Sequence, residues 1–171
     1  MKKSKLAIIC IVIILSILSF YKITLLQVYI VDKGPNFNKV LLQLPIKPEE
    51  KFSVKWTHSV SLRPVTETYK IENDLNISIY EMLFDTFSAN LPASPDYDTI
   101  WEYKDDHIRV YNYDVIFDAV PVVIGKVVAN HTLYVRDSII PLKDIYKPGG
   151  FVKIKAIKKS FIKYIIEEVF F

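Results

Sequence analysis

The residues with the most chemical potential lie close together, in the segment Trp56-Thr57-His58-Ser59-Val60 followed by Pro64 and Glu67. A histidine and a glutamate can share a proton, hold a metal ion or orient a ligand, provided that the chain brings them to one side of a sheet. If residues 61–64 form the loop between two antiparallel strands, Val60 faces Val65 and His58 faces Glu67, with Cβ atoms about 5 Å apart. Trp56 and Tyr69 then extend the same face and exclude water from the pair. Ser59 points to the opposite face, which denies it the geometry of a nucleophile activated by His58. The pair has three readings: a hydrogen bond that fixes the hairpin register, a ligand or partner site, or a catalytic or metal centre. His58, Glu67, Ser59, Pro64, Trp56 and Tyr69 are therefore the candidate ligand- or partner-binding residues. No residue is assigned a catalytic or metal-binding role, and no cofactor is implied. His107 and His131 lie in strand-like sequence without ligand spacing. The acidic group Asp96, Asp98, Glu102, Asp105 and Asp106 lacks a glycine-bearing calcium loop, so a solvated face is expected there.

Strands must position these residues. Beyond the N-terminus the pattern has period two, punctuated by turn residues, over residues 26–31, 39–44, 52–60, 65–71 and 75–81. It continues at 100–103, 108–111, 115–117, 122–128, 131–135 and 151–157. Short strands at this spacing predict an all-β fold, a small antiparallel sandwich or partly open barrel over residues 26–157, with no helix longer than about 12 residues inside it. Residues 158–171 place Phe161, Ile162, Ile165, Ile166 and Val169 on a helical period beside lysines. That short amphipathic C-terminal helix either lies on a membrane or closes the open end of the barrel.

The other end of the chain has a targeting pattern. Lys2, Lys3 and Lys5 precede 15 apolar or small residues, Leu6 to Phe20, and no cleavage-like site follows. Apolar sequence resumes at residues 23–26, so residues 1–25 are expected to form a retained signal anchor, a transmembrane helix. The lysines then stay inside and the C-terminal domain is extracytoplasmic. The three lysines supply the entire formal charge of +3, leaving the rest of the chain neutral, which argues against nucleic-acid binding. Cys10 is the only cysteine, so no disulfide staples the domain.

The segment His58-Ser59-Val60, then Pro64 and Glu67, resembles the signature of the bacterial family catalogued as domain of unknown function 1850. The resemblance continues through Phe87-Ser88-Ala89-Asn90-Leu91-Pro92, at a stretch resembling the family's glycine-containing turn, and through His131-Thr132-Leu133 to Pro148-Gly149. Two features depart from the pattern. Ser61 replaces an acidic residue, and Ser88 and Asn90 replace paired glycines, although Asn tolerates the left-handed backbone that glycine provides. The family has no established activity. Its members are often encoded beside TRAP-type transporters with a TAXI-type solute receptor, which implies an accessory role in uptake. The expectation is a membrane-tethered extracytoplasmic binding or accessory module, in contact with a transporter component or solute receptor. Two alternatives stand beside it, a metal-dependent or hydrolytic enzyme centred on His58 and Glu67, and a purely structural envelope protein.

Overall fold

Runs of β-branched and aromatic residues broken by Asn, Asp, Gly and Pro leave the chain few local options but strands and turns. The computed structural model describes residues 2–96 and 98–170, and its strands form two antiparallel sheets. The smaller sheet has four strands: β1 (Lys22–Ile30), β2 (Val40–Pro45), β9 (Val120–Val123) and β12 (Phe151–Ser160), in the order β2-β1-β12-β9. The larger runs β11 (Ser138–Pro141), β10 (Thr132–Val135), β3 (Lys51–Thr57), β4 (Pro64–Ile71), β5 (Ile77–Phe84), β7 (Ile108–Tyr111), β6 (Ile100–Tyr103), and β8 (Ile116–Phe117) pairs with β5. Among the described residues three helices complete the fold: α1 (Lys2–Phe20), α2 (Leu142–Ile145) and α3 (Phe161–Phe170).

The two sheets share one core, as a sandwich does. Leu26, Val28, Val152 and Ile154 of the small sheet pack with Phe52, Val54, Tyr69, Ile71, Ile77 and Leu133 of the large one. The large sheet extends past the small one, and there a second cluster of Val65, Met82, Phe84, Ile108 and Val110 needs another cover. Loop 85–99 supplies it: Leu91 packs on the cluster, and Phe87 meets Phe84 edge-on at 6.0 Å and stacks on Trp101 at 6.3 Å.

Four expectations are corrected. The helix expected over residues 1–25 stops at Phe20, and residues 23–26 are not its continuation but part of β1, where Leu25 and Leu26 are fully buried. Among the described residues no helix is long and apolar enough to cross a membrane. The physical reason is length, since the apolar run from Leu6 to Phe20 rises only about 22 Å against a hydrocarbon core of about 30 Å. At the other end, residues 158–160 extend β12 before the short helix α3 begins. A strand expected at 122–128 ends at Val123, and the chain bends at residues 126–128 to bring Ala129 O so close to Gly125 that an added Cβ would collide with it.

The fourth correction concerns the hairpin that carries the candidate pair. β3 ends at Thr57, which pairs with Pro64, so the connection is residues 58–63 rather than 61–64. Pro64 has no N–H to give to the ladder and stands as the first residue of β4, a position where proline is tolerated. Leu62 takes φ 56° to close the turn, with its N–H donating to His58 O at 2.9 Å. The register therefore sets Val54, not His58, opposite Glu67, and Trp56 opposite Val65. In a Cys10→Ser background, Val54→Cys with Glu67→Cys should oxidise readily, because directly opposed Cα atoms lie about 4.5–5.5 Å apart, within disulfide reach. His58→Cys with Glu67→Cys should stay reduced, being offset by about 13 Å along the strands. The reverse pattern on non-reducing gels would refute this register.

Candidate functional site

His58 is the first residue of the turn after β3 and is 8% exposed. Its ring bridges the hairpin turn and a segment about 30 residues further along the chain. Nε2 sits 2.8 Å from Ala89 O, and a carbonyl can only accept, so Nε2 carries the proton and donates. Nδ1 is then the acceptor, facing Val60 N, Ser61 N and Ser88 Oγ at 3.3 Å each. A second tie runs parallel to it, as the Arg63 guanidinium grips both oxygens of Asp85, with Nε at 3.0 and 2.9 Å. That pair holds the Asp85 carboxyl below the usual carboxylate range, the hydrogen bond from Arg63 being the main cause. Turn 58–63 is thus fastened to loop 85–99 at two points. Between them Ser88 O accepts Leu91 N–H at 3.2 Å, with Asn90 at φ 63°, so Asn does take the left-handed position expected of it.

Glu67 serves a different neighbourhood. Its cross-strand partners are Val54 and Met82, both buried, with Val65 and Tyr69 two residues away on its own strand. Part of the residue's surface is open, yet burial of the carboxyl dominates and raises its pKa, partly offset by a hydrogen bond from Tyr69 Oη. Burial and the Glu67 charge together push the Tyr69 phenol upward. Tyr113 is raised as well, by burial first and then by Glu67 and Asp96, and its buried Oη has no hydrogen-bond partner among the described residues. Glu67, Tyr69 and Tyr113 form a polar group set against apolar walls.

His58 and Glu67 make hydrogen bonds to different partners, Ala89 O and Tyr69 Oη, and not to each other. The His58 lone pair is occupied by three donors. Ser59 is exposed in the turn, and Trp56 stacks on His131 at 5.6 Å between the two apolar clusters. Among the described residues no three His, Cys, Asp or Glu side chains converge where a metal ion could be held. Of the residues read from the sequence, the fold unites Glu67 with Tyr69, places Pro64 and Trp56 at the hairpin's base, and sends His58 to a third segment. Arg63, Asp85, Ser88 and Tyr113 were missed. Arg63 had one available signal, a charge at a hairpin tip close in sequence to apolar Leu62.

The fold and site define a two-sheet antiparallel β protein whose central hairpin turn is clasped by a buried histidine. A family model described as domain of unknown function (DUF1850) matches residues 52–142, from the start of β3 through the first residue of α2. The chain belongs to that family. No curated protein and no solved structure matches it.

Two outcomes separate the clasp from the carboxyl. His58→Ala should cost about 1–3 kcal/mol in denaturant unfolding through the donors and acceptor left unpaired, and its effect should add to that of Glu67→Gln within about 0.5 kcal/mol because they share no partner. For Glu67 the sign follows from its raised pKa: the native state keeps the proton to higher pH than the unfolded chain. Its contribution to stability is greatest below the unfolded value of about 4.3 and falls as pH rises through the native value. The wild-type minus Glu67→Gln difference in unfolding free energy should show that fall, and a difference rising with pH would contradict it.

Proposed function

We propose that this protein is an extracytoplasmic binding module, tethered to the outer face of the cell membrane by α1, that docks a transporter component or its solute receptor. One observation carries the reading: the hairpin tip is apolar, exposed and fastened. Val60 is 72% exposed, Leu62 62% and Phe87 50%, while His58 and Arg63 bind the tip to residues 85–89. Apolar side chains on a fixed turn offer a partner area without a large ordering cost on binding. A purely internal role for the family motif would leave this tip without a use.

The tether rests on α1. Leu6, Ile8, Ile9, Ile11, Val12, Ile13, Ile14 and Ile17 are all more than half exposed. A helix apolar on all sides is at home in lipid rather than water. The apolar run falls short of the hydrocarbon core, but the 19 residues of α1 rise about 28 Å and local thinning of the bilayer meets a short span, so with Lys2, Lys3 and Lys5 on the cytoplasmic side the β domain lies outside the cell. The association of such families with TRAP-type transporters supplies the class of partner.

A photocrosslinking amino acid placed at Phe87 in the full chain, in intact cells, tests the docking face. The expected result is an adduct with a transporter component or solute receptor from Phe87 and none from Ile139, which is exposed on β11 at the opposite edge of the large sheet. No adduct from Phe87, or equal adducts from both positions, would refute the docking face and favour the structural reading.

A further inference from the structure

The C-terminal helix α3 is amphipathic in the wrong sense for a helix facing water. Its charged Glu167 turns inward, accepting from Lys159 Nζ at 2.5 Å and from Gln43 Nε2 at 3.1 Å. Gln43 in turn accepts from Lys159 at 2.6 Å and from Gln27, which is only 3% exposed, at 2.7 Å. This network fixes α3 on the small sheet through its polar side. Beside Lys163, what faces outward is apolar: Ile165 is 42% exposed, Ile166 48% and Val169 67%. A helix against water carries the opposite arrangement.

The position of α3 says what covers it. α1 ends at Phe20 and β1 starts at Lys22, so no linker separates the helix from the sandwich. Phe161 N–H donates to Tyr21 O at 2.8 Å, Ser160 Oγ donates to Ser19 O at 3.0 Å, and the Tyr21 and Phe161 rings meet edge-on at 6.1 Å. The start of α3 is therefore bonded to the residue that follows α1, and the end of β12 to the last turn of α1. Wherever the C-terminal end of α1 meets a bilayer surface, α3 must lie at the same level. Lys22, Lys158 and Lys163 are exposed at this end of the small sheet, and Phe20 and Tyr21 are exposed beside them. Apolar side chains flanked by aromatics and lysines suit the boundary between acyl chains and anionic headgroups.

We propose that α3 is a second membrane contact, lying in the interfacial layer of an anionic bilayer with Ile165, Ile166 and Val169 at the acyl boundary and Lys22, Lys158 and Lys163 on headgroup phosphates. It rests on the reading that α1 is seated in the membrane. With two contacts the sandwich is held at a fixed tilt, and the Phe87 face is presented in one direction instead of swinging about a single helix.

The test uses the full chain in a Cys10→Ser background, reconstituted in phosphatidylcholine vesicles with and without phosphatidylglycerol. An environment-sensitive fluorophore is attached at Ile17→Cys, Val169→Cys or Ile139→Cys, and quenching by spin-labelled lipids is read. The expected result is strong quenching at positions 17 and 169 and none at 139. Quenching at 169 should be greater with phosphatidylglycerol, and that gain should be lost when Lys22, Lys158 and Lys163 are changed to Gln. Quenching at 17 without quenching at 169 would overturn the proposal and leave the tether standing. Loss of quenching at both would overturn the tether itself. A position-169 label that becomes buried with rising protein concentration in lipid-free detergent would show that a second copy covers α3, and would overturn the proposal as well.

Discussion

The arrangement of this protein's candidate site depends on one imidazole with both nitrogens committed. A histidine that donates from Nε2 to a carbonyl and accepts at Nδ1 from backbone N–H groups has no freedom left in its ring. It converts a turn, an element with little intrinsic order, into an extension of the sheet. The loop it grips covers the second apolar cluster, so the same contact that orders the turn also seals the part of the large sheet that the small sheet does not reach. Arg63 and Asp85 reinforce the join from the solvent side, where an ion pair on its own contributes little.

Glu67 stands outside this clasp and answers to different physics. It is a carboxyl placed opposite Val54 and Met82, with tyrosine hydroxyls as its polar company. Such a group weakens the fold at neutral pH, because burial disfavours its charged form. The family motif thus contains two devices, a histidine that holds a turn and a carboxyl that is held away from water, and they are not partners.

Much of the fold was legible in the sequence because alternation and turn residues coincide. β6 and β7 occupy the residues that their patterning indicates, with the hairpin turn between them, and α3 begins within the helical-period segment. The short pieces β11 and α2 carried no signal, since four residues are too few for a period to show. The hairpin register failed for a local reason. The sequence 58–60 reads as strand by composition, yet His58 finds better partners 31 residues away than across the ladder, and the strand gives way. A contact of that range is invisible to periodicity. The same holds for Tyr113, whose place beside Glu67 arises only when the segment after β7 folds back toward β4. The paired resemblance of residues 58–67 and 87–92 to one family was the only hint that these segments meet.

Hydrogen exchange on His58→Ala tests the central claim, that one ring orders both the turn and the loop. The account predicts that amides of residues 58–63 and 88–91 exchange faster together, while those of β1 and β12 keep their protection, since that ladder shares no bond with His58. Unchanged exchange in the turn and loop, or faster exchange spread evenly over both sheets, would contradict it.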